Sequence, residues 1–186
     1  MRTIAANLNS PLPPPRTVGE LVARRDSPRF FESDYVKIIL PLLQEGDLGA
    51  AGVVDDDGLL TGLLTERSIL RHVFARSSDR WIHSSNVKKY IDDMMVMDAM
   101  IPAPDTLDDD TGVEEAAGLM LRRGYRFMPV VSRYDRRHLL GIVSERELAL
   151  QLQQRLQEAR RQERAQSSIL TYMMAEPYGS GGHAES

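Results

Sequence analysis

Two rhythms of apolar residues alternate along the chain, one at helical spacing and one in short β-branched runs. The second half shows them most clearly. Val113, Ala116, Ala117, Met120 and Leu121 recur at helical spacing, with Asp110 or Thr111 placed to cap the start and Gly124 the end. MPVVS (128–132) follows as a short strand, Arg133 to Arg137 as a turn, and LLGIV (139–143) as a second strand, after which Ser144 opens another helix. The first half repeats this order. It has a helix from about Ser33 to Glu45, the strand AGVVD (51–55), the turn Asp55-Asp56-Asp57-Gly58, the strand LLTGLL (59–64) and a helix from Thr65. Pro41 is expected to kink or shorten the first of these helices.

The resemblance between halves extends to single residues. Gly62 stands 79 positions before Gly141, and the same offset carries Thr65 to Ser144 and Glu66-Arg67 to Glu145-Arg146. Val18 matches Val96 at 78, and Val53-Val54 matches Val130-Val131 at 77. Offsets that drift so little describe one unit used twice with small changes in its turns. The expected plan is a Pro-rich, poorly ordered leader over 1–16, a unit over 17–74, a linker over 75–94 and a second unit over 95–150. Within the linker, Val87, Tyr90, Ile91 and Met94 share a helical face. The last helix then runs on over 151–166 behind a narrow stripe of Leu148, Leu152, Leu156 and Ala159, suited to one partner helix. Residues 167–186 form a tail, its GSGGHAES end expected to be disordered.

Composition excludes more than it assigns. The chain has 186 residues and no cysteine, which removes disulfides, thiolate metal sites and a cysteine nucleophile. A net charge of -4 with no basic stripe gives no reason to expect nucleic acid. No apolar run approaches the roughly 18 residues of a membrane span, and the leader lacks the apolar core of a signal peptide, so a cytoplasmic protein is expected. Asp55-Asp56-Asp57 and Asp108-Asp109-Asp110 lack the alternating spacing of a calcium loop and read as solvated turns. His72, His83, His138 and His183 share no metal-site spacing, and no metal is expected. Met94, Met95, Met97 and Met100 read as adaptable packing between units. Tyr172, Met173, Met174 and Tyr178 read either as a docking segment or as a loosely packed tail. Neither a phosphate-binding GxxxxGK[ST] loop nor a GxSxG elbow is present.

The phrases MVMDAMIPAPDTL (95–107), GVEEAAGLMLRRGYRFMPVVS (112–132) and LLGIVSERELA (139–149), echoed by TVGELV (17–22) and AAGVVDDDGLLTGLLTERSIL (50–70), resemble a tandem pair of cystathionine β-synthase (CBS) domains, a Bateman module. The resemblance covers about 17–150 and implies an α+β fold. In it two helix-strand-strand-helix units, each with a short leading strand, pack pseudo-twofold through their sheets, here followed by the long C-terminal helix. It implies a regulatory module rather than an enzyme. Such pairs take an adenine nucleotide (AMP, ADP or ATP) between their units and commonly associate as homodimers.

In the family pattern Gly-x-x-Thr/Ser-x-x-Asp, hydroxyl and carboxylate lie side by side at a helix start. The carboxylate accepts from both ribose hydroxyls, and the helix N-terminus favours phosphate. The second copy supplies Ser144 and Glu147, the first Thr65 and Ser68. Ser144 and Glu147 also spell a capping box, in which each side chain satisfies the other's backbone amide, and the two readings are compatible. Glu147 is one methylene longer than the family's Asp, and Ser68 has no carboxylate. Hydrogen bonds to a charged acceptor contribute about 1.5–3 kcal/mol each, so losing two weakens the first site roughly a hundredfold or more. The resemblance adds Ile101, Thr106, Arg126, Phe127, Met128, Pro129 and Arg146 to the second site and Arg67 to the weaker first. Arg126 reads as a phosphate contact or a solvated strand-edge arginine, and Met128 as an adenine flank or core packing.

Overall fold

The structure, a computed structural model, describes residues 13–45, 49–76 and 84–174. Most of the expected leader, the middle of the linker, the end of the tail, His83, Tyr178 and His183 lie outside the described residues. In chain order the elements are α1 (Val18–Val22), β1 (Arg29–Phe31), α2 (Val36–Glu45), β2 (Ala50–Val54), β3 (Leu60–Thr65), α3 (Glu66–Arg76), α4 (Ser84–Asp93) and α5 (Val96–Ala99). They continue as β4 (Ile101–Pro102), β5 (Leu107–Asp108), α6 (Val113–Arg123), β6 (Phe127–Ser132), β7 (Asp135–Ser144) and α7 (Glu145–Met174).

Two sheets form, β1-β2-β3-β4 and β5-β6-β7. In each, a short leading strand runs parallel to the first strand of an antiparallel hairpin. Both hairpins shift register at the same repeat position, Val53/Val54 in one and Val130/Val131 in the other. Fold class and repeat therefore stand as expected, with local differences. Pro41 does not end α2, which runs unbroken to Glu45. The N-cap of α6 is Gly112 rather than Asp110 or Thr111, because the Thr111 carbonyl is taken by the amide of Val18 at 3.0 Å. Gly124 does cap the other end, left-handed at φ 67°, with the Tyr125 amide closing onto Met120 at 2.9 Å. Strand β7 starts at Asp135, inside the expected turn, and α7 passes 166 to reach Met174, no proline or glycine intervening.

The lead-in segments change places. Helix α1 precedes the first hairpin in sequence, yet Val18, Leu21 and Val22 are buried with Val113, Met120 and Val143 of the second unit. Helix α5 precedes the second hairpin, yet Val96 and Ala99 are buried with Val36, Ile39 and Leu64 of the first. Matching backbone bonds fix both exchanges. Val18 donates to Thr111 at 3.0 Å and Val113 to Arg16 at 3.1 Å, while Val36 donates to Met94 and Val96 to Asp34, both at 2.9 Å. Strand β4 follows α5 and completes the first unit's sheet, Ile101 beside Leu63. Neither unit has a complete core of its own.

The sheets meet through small residues. Ala50, Leu63 and Ile142 are buried together with Phe127 against them. A Cβ on Gly52 would lie 2.2 Å from Leu139, and one on Gly141 would lie 2.7 Å from both Val22 Cβ and Ser27 Oγ. An ionic contact crosses the same seam, and others tie the second unit's leading segment to its own hairpin. Arg137 reaches Asp55 of the other unit at 2.9 Å. Arg133 holds Asp109 at 3.0 Å and Asp110 at 3.3 Å, and Arg136 holds Asp108 at 2.8 Å. Asp55, Asp108, Asp109 and Asp110 are thus paired with the β6–β7 hairpin, whereas Asp56 and Asp57 are exposed, as expected of a solvated turn. Asp55 also closes its own turn, accepting from the amides of Asp57 and Leu59.

Two outcomes are expected. Gly141→Ala should destabilise the protein by about 1–3 kcal/mol, because a methyl there meets the branched carbon of Val22. Gly118→Ala, inside α6 and facing only the end of Arg122, should be neutral or stabilising by up to about 1 kcal/mol; urea unfolding midpoints test both. The Arg133 hydrogen bond holds the Asp109 carboxyl below its ordinary range. Its stabilisation is therefore present above the unfolded-state value of about 3.9 and is lost as pH falls through the lower folded value. Acid titration of Asp109→Asn should show a shallower loss of stability in that window.

Candidate functional site

At the end of the second sheet, Phe127 pairs with Ser144 across β6 and β7, and the Arg126 carbonyl accepts the Glu145 amide at 2.9 Å. This ties the start of α7 to the start of β6 and places Arg126, Phe127, Ser144, Arg146 and Glu147 together. Glu147 folds back on the strand end. Its Oε2 accepts from the Ser144 amide at 2.9 Å and the Ser144 hydroxyl at 2.8 Å, while the Glu147 amide donates to Ser144 Oγ at 3.2 Å. The capping box is thus formed.

A further partner comes from the exchanged segment. Arg25, just after α1, bonds Glu147 Oε2 at 3.1 Å, pairs with Oε1, and donates to the Ile142 carbonyl. The two side chains are only 25% and 23% exposed, and burial pulls the arginine pKa below its ordinary value. Arginine nevertheless keeps its charge, so this is a partly desolvated ion pair joining the chain's two halves. Beside it, Arg25 Nε and Ser27 Oγ are buried without a hydrogen-bond partner among the described residues.

The equivalent junction in the first unit carries no charge. Thr65 and Ser68 are both buried and exchange three bonds. The Thr65 amide donates to Ser68 Oγ at 3.0 Å, the Ser68 amide to Thr65 Oγ1 at 3.0 Å, and the Ser68 hydroxyl to the Thr65 carbonyl at 2.8 Å. Arg67 is exposed on the first turn of α3. The repeat offset that pairs Val18 with Val96 sets Arg25 opposite Ala103. The first junction therefore lacks both members of the Arg25–Glu147 pair.

The remaining sequence candidates separate. Arg126 and Arg146 are exposed. Met128 is 1% exposed inside the second unit's core, which makes it a packing residue, and Pro129 is buried beside it. Phe127 reaches across the seam, its Cζ 3.2 Å from where a Cβ on Gly49 would lie. Ile101 pairs with Leu63 on the first unit's sheet, and Thr106 immediately precedes β5. The exchange of lead-in segments is the reason. The segment that faces Glu147 is 23–28, with Arg25 and Ser27, which sequence reasoning did not select. The signal was present as a second asymmetric repeat position, Arg25 against Ala103, matching Glu147 against Ser68. Among the described residues no cluster of three or more His, Asp or Glu could hold a metal, and no helix is long and apolar enough to cross a membrane.

Comparison with known proteins decides the family. The CBS domain model matches residues 18–75 and 96–153. The chain belongs to the CBS domain family. Among solved structures the CBS pair is similar to CBSX2 in complex with AMP, at 28% identity and TM-score 0.57, covering 75% of this chain and 98% of that one. It also resembles the CBS domain of a membrane protein from Sphaerobacter thermophilus in fold, at 23% identity and TM-score 0.57, covering 73% and 87%. Among curated proteins, chloroplastic CBSX1 of Arabidopsis thaliana is 27% identical over 76% of this chain and 66% of its own length. An uncharacterized 17.7 kDa protein of Acidianus ambivalens is 33% identical over 58% and 56%. The CBS pair thus spans about half to two thirds of these curated relatives.

The ion pair has a measurable consequence. In urea unfolding, a double-mutant cycle of Arg25→Ala and Glu147→Gln should return a coupling on the order of 1 kcal/mol, as expected for a partly exposed pair. Glu147→Ala, which also opens the capping box and strands Arg25, should cost about 2–3 kcal/mol, against about 1 for Ser68→Ala.

Proposed function

We propose that this CBS pair is a regulatory adenine-nucleotide sensor with one competent site, at the Ser144–Glu147 junction. The observation that carries the reading is the asymmetry of the two junctions. One presents a carboxylate and hydroxyl at the start of a helix, with a guanidinium beside them; the other presents two hydroxyls, each already bonded to the backbone of the other residue. A ribose needs the former. Its hydroxyls would replace Arg25 as donors to Glu147, and the phosphate would meet the exposed side chains of Arg126 or Arg146 at the N-terminus of α7. The unpaired Arg25 Nε and Ser27 Oγ support a polar ligand at this place. So does the similarity to CBSX2, solved with AMP. Because Arg25 belongs to the exchanged segment, replacing it changes a contact between the two halves, and binding alters their relative stability or angle. A coupling of about 1–3 kcal/mol to a partner is the expected scale. The reading assigns no catalytic residues.

A second reading is favoured by a different observation. Glu147 is already satisfied by Ser144 and Arg25, and Phe127 already fills the seam at Gly49. On that reading both sites are decayed and the pair is a structural interaction module.

A thermal-shift screen against AMP, ADP, ATP, S-adenosylmethionine, NAD and GMP separates the readings. The sensor gives a saturating, adenine-selective rise in Tm. Glu147→Ala loses most of it relative to its own unliganded Tm, and Ser68→Ala keeps it. Absence of any shift at millimolar ligand selects the structural module.

A further inference from the structure

The C-terminal helix is far longer than either unit needs. Its 30 residues extend about 45 Å, and Leu148 and Leu152 at its start complete its contribution to the second unit's core. Farther out, Leu156 is 61% exposed and Ile169 and Leu170 are each 60% exposed. Helical stability in proteins comes mostly from packing an apolar face, and this arm leaves Leu156, Ile169 and Leu170 exposed.

Its sequence is self-complementary in one orientation. Leu152, Leu156, Ala159, Glu163, Gln166 and Leu170 fall on one stripe with alternating spacings of four and three, the spacing of a coiled-coil seam. The stripe is apolar at both ends and polar at its centre. A parallel partner would set Glu163 against Glu163, like charges at the centre of the stripe, and bring Arg160 towards Arg155, which already pairs with Glu114 of its own chain. An antiparallel partner can be set so that Glu163 faces Gln166 of the second copy. The same register then puts Ala159 against Leu170 of that copy, small against large, on both sides of the polar centre. Glu163 accepts from the Gln166 amide nitrogen, and Arg160 meets no second arginine.

We propose that the outer part of α7 is a self-association arm, pairing antiparallel with α7 of a second copy of this chain in that register. The overlap is about 18 residues, roughly 27 Å, and carries only two kinds of apolar layer around the polar one, so the dimer is weak and reversible. The polar centre fixes register and orientation at some cost in affinity, as a buried polar pair does in other coiled coils. The proposal does not depend on the nucleotide reading.

The absence of native cysteine makes the test direct. Full-length Ala159→Cys and Leu170→Cys variants are oxidised separately and as an equimolar mixture, without nucleotide, and disulfide-linked dimer is measured on non-reducing gels. Antiparallel pairing gives linked dimer in the mixture at least tenfold above either variant alone. Efficient linking of either variant alone means parallel pairing or another register and overturns the proposal. So does a mixture that fails to link at concentrations where sedimentation shows a dimer, or a chain that sediments as a monomer at every concentration up to the millimolar range.

Discussion

The exchange of lead-in helices between the two halves is the constraint on which the rest of the molecule depends. Val18, Leu21 and Val22 bury with the second unit, Val96 and Ala99 with the first. Neither half can then complete its apolar core alone, and the pair folds as one cooperative body rather than two beads on a linker. Glycines at the close approaches are a direct result. Gly141 has Val22 within contact of where its side chain would be, and Gly62 has Met100 in the equivalent place. The same exchange brings Arg25 to Glu147 and so sets the chemistry of the junction.

That junction shows how one unit, used twice, carries two different sets of contacts. The backbone of both copies is nearly the same, and both start a helix on a hydroxyl residue. A carboxylate at the fourth position needs a countercharge when partly buried, and only the second copy has one, delivered by the segment that crosses over. In the first copy the carboxylate and the arginine are both gone, and Ser68 and Thr65 satisfy each other. Loss of one partner alone would have left an uncompensated charge, which costs more than loss of both.

Local rhythm made most of this fold legible in the sequence. Helical spacing located α6, β-branched runs located β6 and β7, and the constant offset showed that the second phrase repeats the first. The exchange itself was not legible, because Val18 and Val96 look the same whichever core they join; apolar spacing says that a face is buried, not against what. Ile101 was therefore grouped with Glu147 though it lies on the other sheet, and Arg25 was passed over. Spacing leaves the acidic turns looking solvated because their arginine partners follow 23 or more residues later. The capping box was legible from spacing alone, since its partners are three residues apart.

On the proposed reading a single carboxylate, Glu147, gives this pair one nucleotide site. Isothermal titration calorimetry of the full chain with AMP tests it most directly. One site per chain, abolished by Glu147→Ala and retained in Ser68→Ala, is the expected result. Two sites per chain, equal losses from the two substitutions, or no heat of binding at millimolar AMP would contradict it.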